Sequence, residues 1–165
     1  MNRDLYQEPL VSRYTSVEMQ TIFSERSKFT TWRRCWIALA EAQHEMGLDD
    51  LVTRAMVEEL KKHAEDIDFE LAAQKEKEIR HDVMAHVYAY GQQCPLAEPI
   101  IHLGATSQFV GCNTDLLLQK QALELIKKAL LAVIANLSAF CRKHKGLVTL
   151  GYTHYQPAQP TTVGK

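Results

Sequence analysis

The stretch NTDLLLQKQALELIKKALLAVIANLSAFCRKHK, Asn113–Lys145, decides the fold class. It contains neither Gly nor Pro, and Asn113-Thr114-Asp115 supplies helix-starting side chains at its head. Leu116, Leu117, Leu123, Leu130, Val133, Ile134 and Leu137 make it apolar over more than one face. A helix of roughly 30 residues would be about 45 Å long. Breadth of hydrophobicity over that length predicts burial in a bundle or at a subunit interface rather than one narrow core stripe.

Upstream, Phe29, Trp32, Trp36, Leu39, Ala40 and Met46 follow the i, i+3, i+4, i+7 spacing of one buried stripe, predicting a helix from about Ser24 to Met46 with Gly47 as its stop. Arg33, Arg34, Glu41 and Glu45 occupy the remaining faces and read as solvated surface. A second helix fits Thr53 to about Glu65, capped by Thr53, with Met56, Val57 and Leu60 inward. Asp68 can cap a third, with Leu71, Ala72 and Ile79 on one stripe. A bend is expected at Arg80-His81, with Asp82 capping the next helix. Residues 91–111 carry Pro95, Pro99, Gly104 and Gly111 and read as a loop; residues 1–15 read as irregular and polar. Only Leu147–Leu150 suggests an extended segment, and no internal repeat or linker is visible. The expectation is an all-α protein: 1–111 an N-terminal helical domain with substrate-binding loops, 112–165 the first long helix of a central bundle followed by a histidine loop.

Composition narrows the function classes. The chain has 165 residues, 46% hydrophobic and 24% charged, with 19 basic and 20 acidic residues for a net charge of −1. That balance argues against a nucleic-acid or membrane-surface partner. No apolar run approaches the ~18 residues of a membrane span, and Met1–Glu8 has no signal-peptide core. Cys35, Cys94, Cys112 and Cys141 include no CxxC pair and read as reduced thiols of a cytoplasmic protein. His81 and His86 are five apart and lie outside any HExxH pattern, so no metal or other cofactor is implied.

Three polar clusters remain. Arg80-His81-Asp82 is either a capped, solvated helix junction or a histidine whose tautomer and charge are fixed by an aspartate so that it can contact substrate. His86, one turn on, reads as a packed histidine. Thr106-Ser107, after Gly104-Ala105 and ahead of the long helix, is either cap chemistry or a seat for a carboxylate or phosphate. Thr153-His154 lies in a short irregular segment bounded by Gly151 and Pro157, where a structural histidine and a proton donor are both open. Arg13-Tyr14, just before Ser16, reads by itself as a surface arginine and a half-buried tyrosine.

In this order and separation, Ser12-Arg13-Tyr14, the run from Arg80 to His86, His102-Leu103-Gly104-Ala105-Thr106-Ser107 and the closing Thr153–Thr162 resemble the fumarase/aspartase superfamily of lyases. Within it the resemblance is to the animal-type branch acting on adenylosuccinate, because the fumarase and argininosuccinate branches are not expected to carry the His-Asp stretch. The resemblance implies a β-elimination releasing fumarate, from adenylosuccinate to give AMP and from the succinyl-carboxamide ribotide of purine synthesis. It implies His154 as general acid, and His81, steadied by Asp82, as a second histidine that orients substrate or assists proton transfer. Thr106 and Ser107 would bind a succinyl carboxylate with Thr153 nearby; Arg13 and Tyr14 would hold the nucleotide phosphate, with Arg80 at the same pocket. It also implies a homotetramer whose active sites are shared between subunits.

The family's serine loop, Ser-Ser-x-Met-Pro-x-Lys-x-Asn, carries its usual general base and has no counterpart here. The resemblance therefore implies an amino-terminal portion, inactive alone. The alternative is a non-catalytic helical module that binds full-length subunits.

Overall fold

The computed structural model describes residues 8–165. Met1–Gln7, the head of the stretch expected to be irregular, lie outside the described residues. Helices are α1 (Val17–Ile22), α2 (Glu25–Glu45), α3 (Arg54–Lys62), α4 (Phe69–Ile79), α5 (Asp82–Gln93) and α6 (Ser107–His144), joined by a π-helical turn at Leu10–Tyr14 and a 3-10 turn at Glu98–Ile100. The fold is all-α apart from one antiparallel hairpin, β1 (Val148–Thr153) and β2 (Gln156–Thr162). Contacts divide the chain into two units, Met1–Gln121 and Ala122–Lys165, so the dividing point lies inside α6.

Local chemistry explains the boundaries. Ser16, Ser24, Thr53 and Asp68 each accept a backbone N–H three residues on (Met19, Ser27, Met56 and Leu71), capping α1 to α4. The core of the first unit is built on the expected α2 stripe: Trp32 and Trp36 meet edge to face at 6.2 Å, and both are 2% exposed. Val57 and Leu60 of α3, Tyr90 of α5 and Val110 of α6 close around them.

Several sequence expectations are corrected. Met46 is not in the stripe but is the C-cap residue of α2, 82% exposed. Arg33 is not on a solvated face: it is 2% exposed. Its guanidinium lies 4.1 Å from the Tyr90 ring centre, donates to Gln93 Oε1 at 2.6 Å and to the His63 carbonyl, and stands 3.6 Å from Asp66. That network ties α2 to α5 and to the α3–α4 connection, which is what makes burying the charge tolerable. Residues 10–14 form a helical turn rather than irregular chain. α6 starts at Ser107, six residues before Asn113, so Gly111 lies inside a helix and not in a loop. At 38 residues α6 is about 57 Å long.

The second unit holds the rest of α6 and the hairpin. The hairpin turn is His154-Tyr155, both at positive φ (49° and 62°), between paired Thr153 and Gln156. Two successive positive φ values match the right-handed twist of the strands they join. The closing stretch is thus extended and paired rather than irregular. Gly164 follows, its N–H bonded to the His144 carbonyl at 3.0 Å; a Cβ there would stand 2.5 Å from the Cys141 carbonyl oxygen, so the close approach to the end of α6 requires glycine.

Candidate active site

The end of α4 is turned by Arg80, which adopts a left-handed conformation (φ 54°). The chain then straightens at His81 (φ −147°, ψ 108°), and α5 begins. The N-cap of α5 is His81 and not the expected Asp82: His81 Nδ1 accepts the Met84 N–H at 3.3 Å. Asp82 is the first helical residue, and its Oδ1 accepts the Val83 N–H at 2.8 Å. Its carboxylate stands 3.8 Å from His81 Nδ1, too far for a hydrogen bond. The carboxylate stays within ion-pair distance of the ring, while His81 Nδ1 and Asp82 Oδ1 are each hydrogen-bonded to a backbone N–H at the start of α5.

The other ring nitrogen, His81 Nε2, is 3.2 Å from Ser107 Oγ at the first position of α6. Two of the sequence clusters, 26 residues apart, therefore meet through one hydrogen bond. Thr106 immediately precedes Ser107 and is exposed.

A residue passed over as a site candidate lies beside them. His102 (φ 69°) and Gly104 (φ 73°) both take positive φ, folding the loop tightly before α6. Trp36 Nε1 donates to His102 Nδ1 at 2.9 Å, and Gln43 Nε2 donates to the Leu103 carbonyl at 3.0 Å, pinning this loop to α2. Burial pushes the His102 pKa down, with the neighbouring His81 adding to the effect. The signal that could have found it is a histidine two residues ahead of a glycine in a loop that opens a helix. His86 is packed, as expected: it is 7% exposed and stacks on Phe29 at 3.8 Å. Burial, with Arg33 and Lys28 adding, lowers its pKa to about 4.

The remaining candidates are not drawn into this contact. Arg80 lines a groove of ≈ 620 Å³ with Ala73, Glu76 and Lys77, on the outer face of α4. Arg13 and Tyr14 sit exposed in the π-helical turn, Tyr14 at 75%, and no hydrogen bond or ion pair among the described residues joins them to His81 or Ser107. Thr153 and His154 belong to the hairpin of the second unit, where both are exposed. Among the described residues, no three or more His, Cys, Asp or Glu side chains are grouped to hold a metal ion, and no helix is long and apolar enough to cross a membrane.

This helical chain belongs to the lyase family, matching it over residues 13–165. It is similar to adenylosuccinate lyase of Saccharomyces cerevisiae, 49% identical over 164 residues, covering 98% of this chain and 34% of that protein. To adenylosuccinate lyase of Schistosoma mansoni it is 48% identical over 160 residues, covering 97% of this chain and 33% of that one. Among solved structures, 3-carboxy-cis,cis-muconate lactonizing enzyme from Pseudomonas putida matches with a TM-score of 0.81 at 30% identity, covering 94% of this chain and 36% of the other. The chain spans about a third of the length of the curated relatives it matches.

Proposed function

We propose that this chain supplies part of the active site of a lyase that eliminates fumarate from adenylosuccinate, and from the related succinyl-carboxamide ribotide. The observation that carries the proposal is the His81–Ser107 contact, which unites two separate motifs at the mouths of α5 and α6. The names of relatives that are nearly half identical over almost the whole chain support the substrate class.

In the elimination, a base removes the proton from the carbon beside a carboxylate. The electron pair forms the new C=C bond as the C–N bond breaks, and an acid protonates the departing nitrogen. His154 is the proposed acid; proton transfer by a positioned imidazole is typically worth 10²–10⁴-fold in rate. His81, with Asp82 beside it, is the second histidine. Thr106 and Ser107 hold a succinyl carboxylate, with Thr153 contributing, and Arg13, Tyr14 and Arg80 hold the nucleotide phosphate. The general base is assigned to no residue of this chain. Site completion would come from further chain and from other subunits of a cytoplasmic homotetramer.

The second reading, a helical module that binds larger subunits without catalysing, draws support from the apolar residues α6 leaves open, among them Leu130, Ile134 and Leu137 at 50–57% exposure. Fumarate absorbance separates the readings. The 165-residue chain with adenylosuccinate releases none under either; a longer protein containing it releases fumarate only under the first. In that longer protein His154→Ala should lower turnover at least ~10²-fold. Near-normal turnover in the variant would reject the role assigned to His154.

A further inference from the structure

We infer that His81 acts on the substrate through Ser107, as a neutral ring whose tautomer is set by the amino terminus of α5 and not by Asp82; the substrate half of this rests on the lyase reading above.

An imidazole nitrogen that accepts an N–H carries no proton of its own. Met84 N–H points at His81 Nδ1 at 3.3 Å, so the single proton of the neutral ring belongs on Nε2. That nitrogen faces Ser107 Oγ at 3.2 Å, which settles the direction of the bond: Nε2–H donates and the hydroxyl oxygen accepts. With one lone pair engaged, the Ser107 hydroxyl keeps its own hydrogen free to turn toward another acceptor. An ionised carboxylate is acceptor-only, so the hydroxyl is presented to it as a donor, strengthened by the bond behind it in the way hydrogen-bond chains polarise one another.

Asp82 cannot perform the tautomer-fixing role. Pairing it with the ring requires a proton on Nδ1, where the Met84 amide already points, and its Oδ1 is engaged by Val83 N–H at 2.8 Å. Moving the proton to Nδ1 would strip the cap from α5 and turn Nε2 into an acceptor. Ser107 would then have to donate to the ring, and its hydrogen would be lost to the substrate. His81 is in this sense a positioning residue, and the amide at the start of α5 holds it in the useful form.

The first test reads the ring directly. Protein labelled with ¹⁵N in its histidines is studied by long-range proton–nitrogen NMR near pH 8, where an ordinary imidazole is neutral. The expected result is a protonated Nε2 and a bare Nδ1 at His81, unchanged in Asp82→Asn. A proton on Nδ1, or a switch of tautomer in Asp82→Asn, overturns the inference and leaves the lyase reading standing. The second test is a double-mutant cycle on kcat/KM in a longer, active protein containing this chain. His81→Asn keeps an oxygen to cap α5 but is too short to reach Ser107. If His81 works through Ser107, His81→Asn and Ser107→Ala each lower kcat/KM by a similar factor, and the double variant is no worse than either. Factors that multiply would show His81 acting independently and overturn the relay. If the longer wild-type protein releases no fumarate, the lyase reading and the substrate half of the inference fall together, while the tautomer is still decided by NMR.

Discussion

The two units use the same kind of apolar sequence in opposite ways. In Met1–Gln121, Trp32, Trp36, Leu60, Val52 and Val110 are each 0–2% exposed, and even Arg33 is enclosed. In Ala122–Lys165, Leu123, Ile126, Leu130, Leu131, Val133, Ile134, Leu137 and Phe140 stand 47–64% exposed along α6. Side chains of equal hydrophobicity thus contribute unequally: burial, not residue type, sets the stabilisation, at roughly 25 cal/mol per Å² of apolar surface removed from water. The first unit closes its own core. The second leaves an apolar surface along α6 open to solvent.

The most direct way to break this comparison is to truncate one leucine in each unit. Leu60 is fully buried, so Leu60→Ala should cost about 2–5 kcal/mol through lost burial and the cavity left behind. Leu130, 56% exposed, should change stability by no more than about 0.5 kcal/mol on truncation. Urea unfolding of the 165-residue chain measures both. A Leu130→Ala cost approaching that of Leu60→Ala would mean that α6 is already covered, by a second copy or by the chain itself.

Acid provides the next test, because it probes the closed core selectively. His86 is buried among Phe29 and Trp32 and titrates at about 4, against about 6.5 for an ordinary histidine. Its folded pKa lies below its unfolded one, so between pH 6.5 and 4 the unfolded chain binds more protons than the folded chain. Stability therefore falls as pH is lowered through that window, and above it His86 causes no loss. By pH 5 the loss should be about 2 kcal/mol. Comparing urea midpoints at pH 7 and pH 5, His86→Leu should show less acid loss than the wild type. An unchanged pH dependence in that variant would mean another group drives the acid sensitivity.

Which parts of this were legible in the sequence follows from how far each interaction reaches along the chain. The caps Ser24, Thr53 and Asp68 bond three residues on, and the Phe29–Trp36 stripe repeats within one helix, so both could be read locally. Arg33 could not. It differs from Arg34, whose side chain is 62% exposed, only by one step around the helix, and its partner Gln93 lies sixty residues away. Aspartate is the better capping residue by composition, yet His81 caps α5 because the left-handed Arg80 precedes it and Ser107 holds the far side of its ring. Of the hairpin, only the start of β1 was legible, in the extended segment expected at Leu147–Leu150; β2 was not, because Gln156-Pro157-Ala158-Gln159-Pro160 does not alternate apolar with polar. As for function, the motif residues were recognisable by order and spacing, but which of them touch was not: His81 meets Ser107, while no hydrogen bond among the described residues joins Arg13, Tyr14 or Arg80 to either.

The smallest expected effect sharpens the comparison at the two histidines themselves. His81 has both ring nitrogens engaged, one by the α5 cap and one by Ser107. His154 occupies an exposed turn, and no hydrogen bond to its ring occurs among the described residues. His81→Ala should therefore cost about 1 kcal/mol of stability, the usual value of a lost cap. His154→Ala exchanges one non-glycine residue for another at positive φ and exposes nothing new, so its effect should stay within about 0.5 kcal/mol. Thermal unfolding of both variants, side by side, checks the pair. Equal losses would mean that His154 is held by contacts of its own, and that the hairpin is a built part of the fold rather than a presenting loop. Unequal losses in the expected sense make His154 the cleaner residue for kinetic tests, since a fall in turnover there could not be ascribed to a weakened fold.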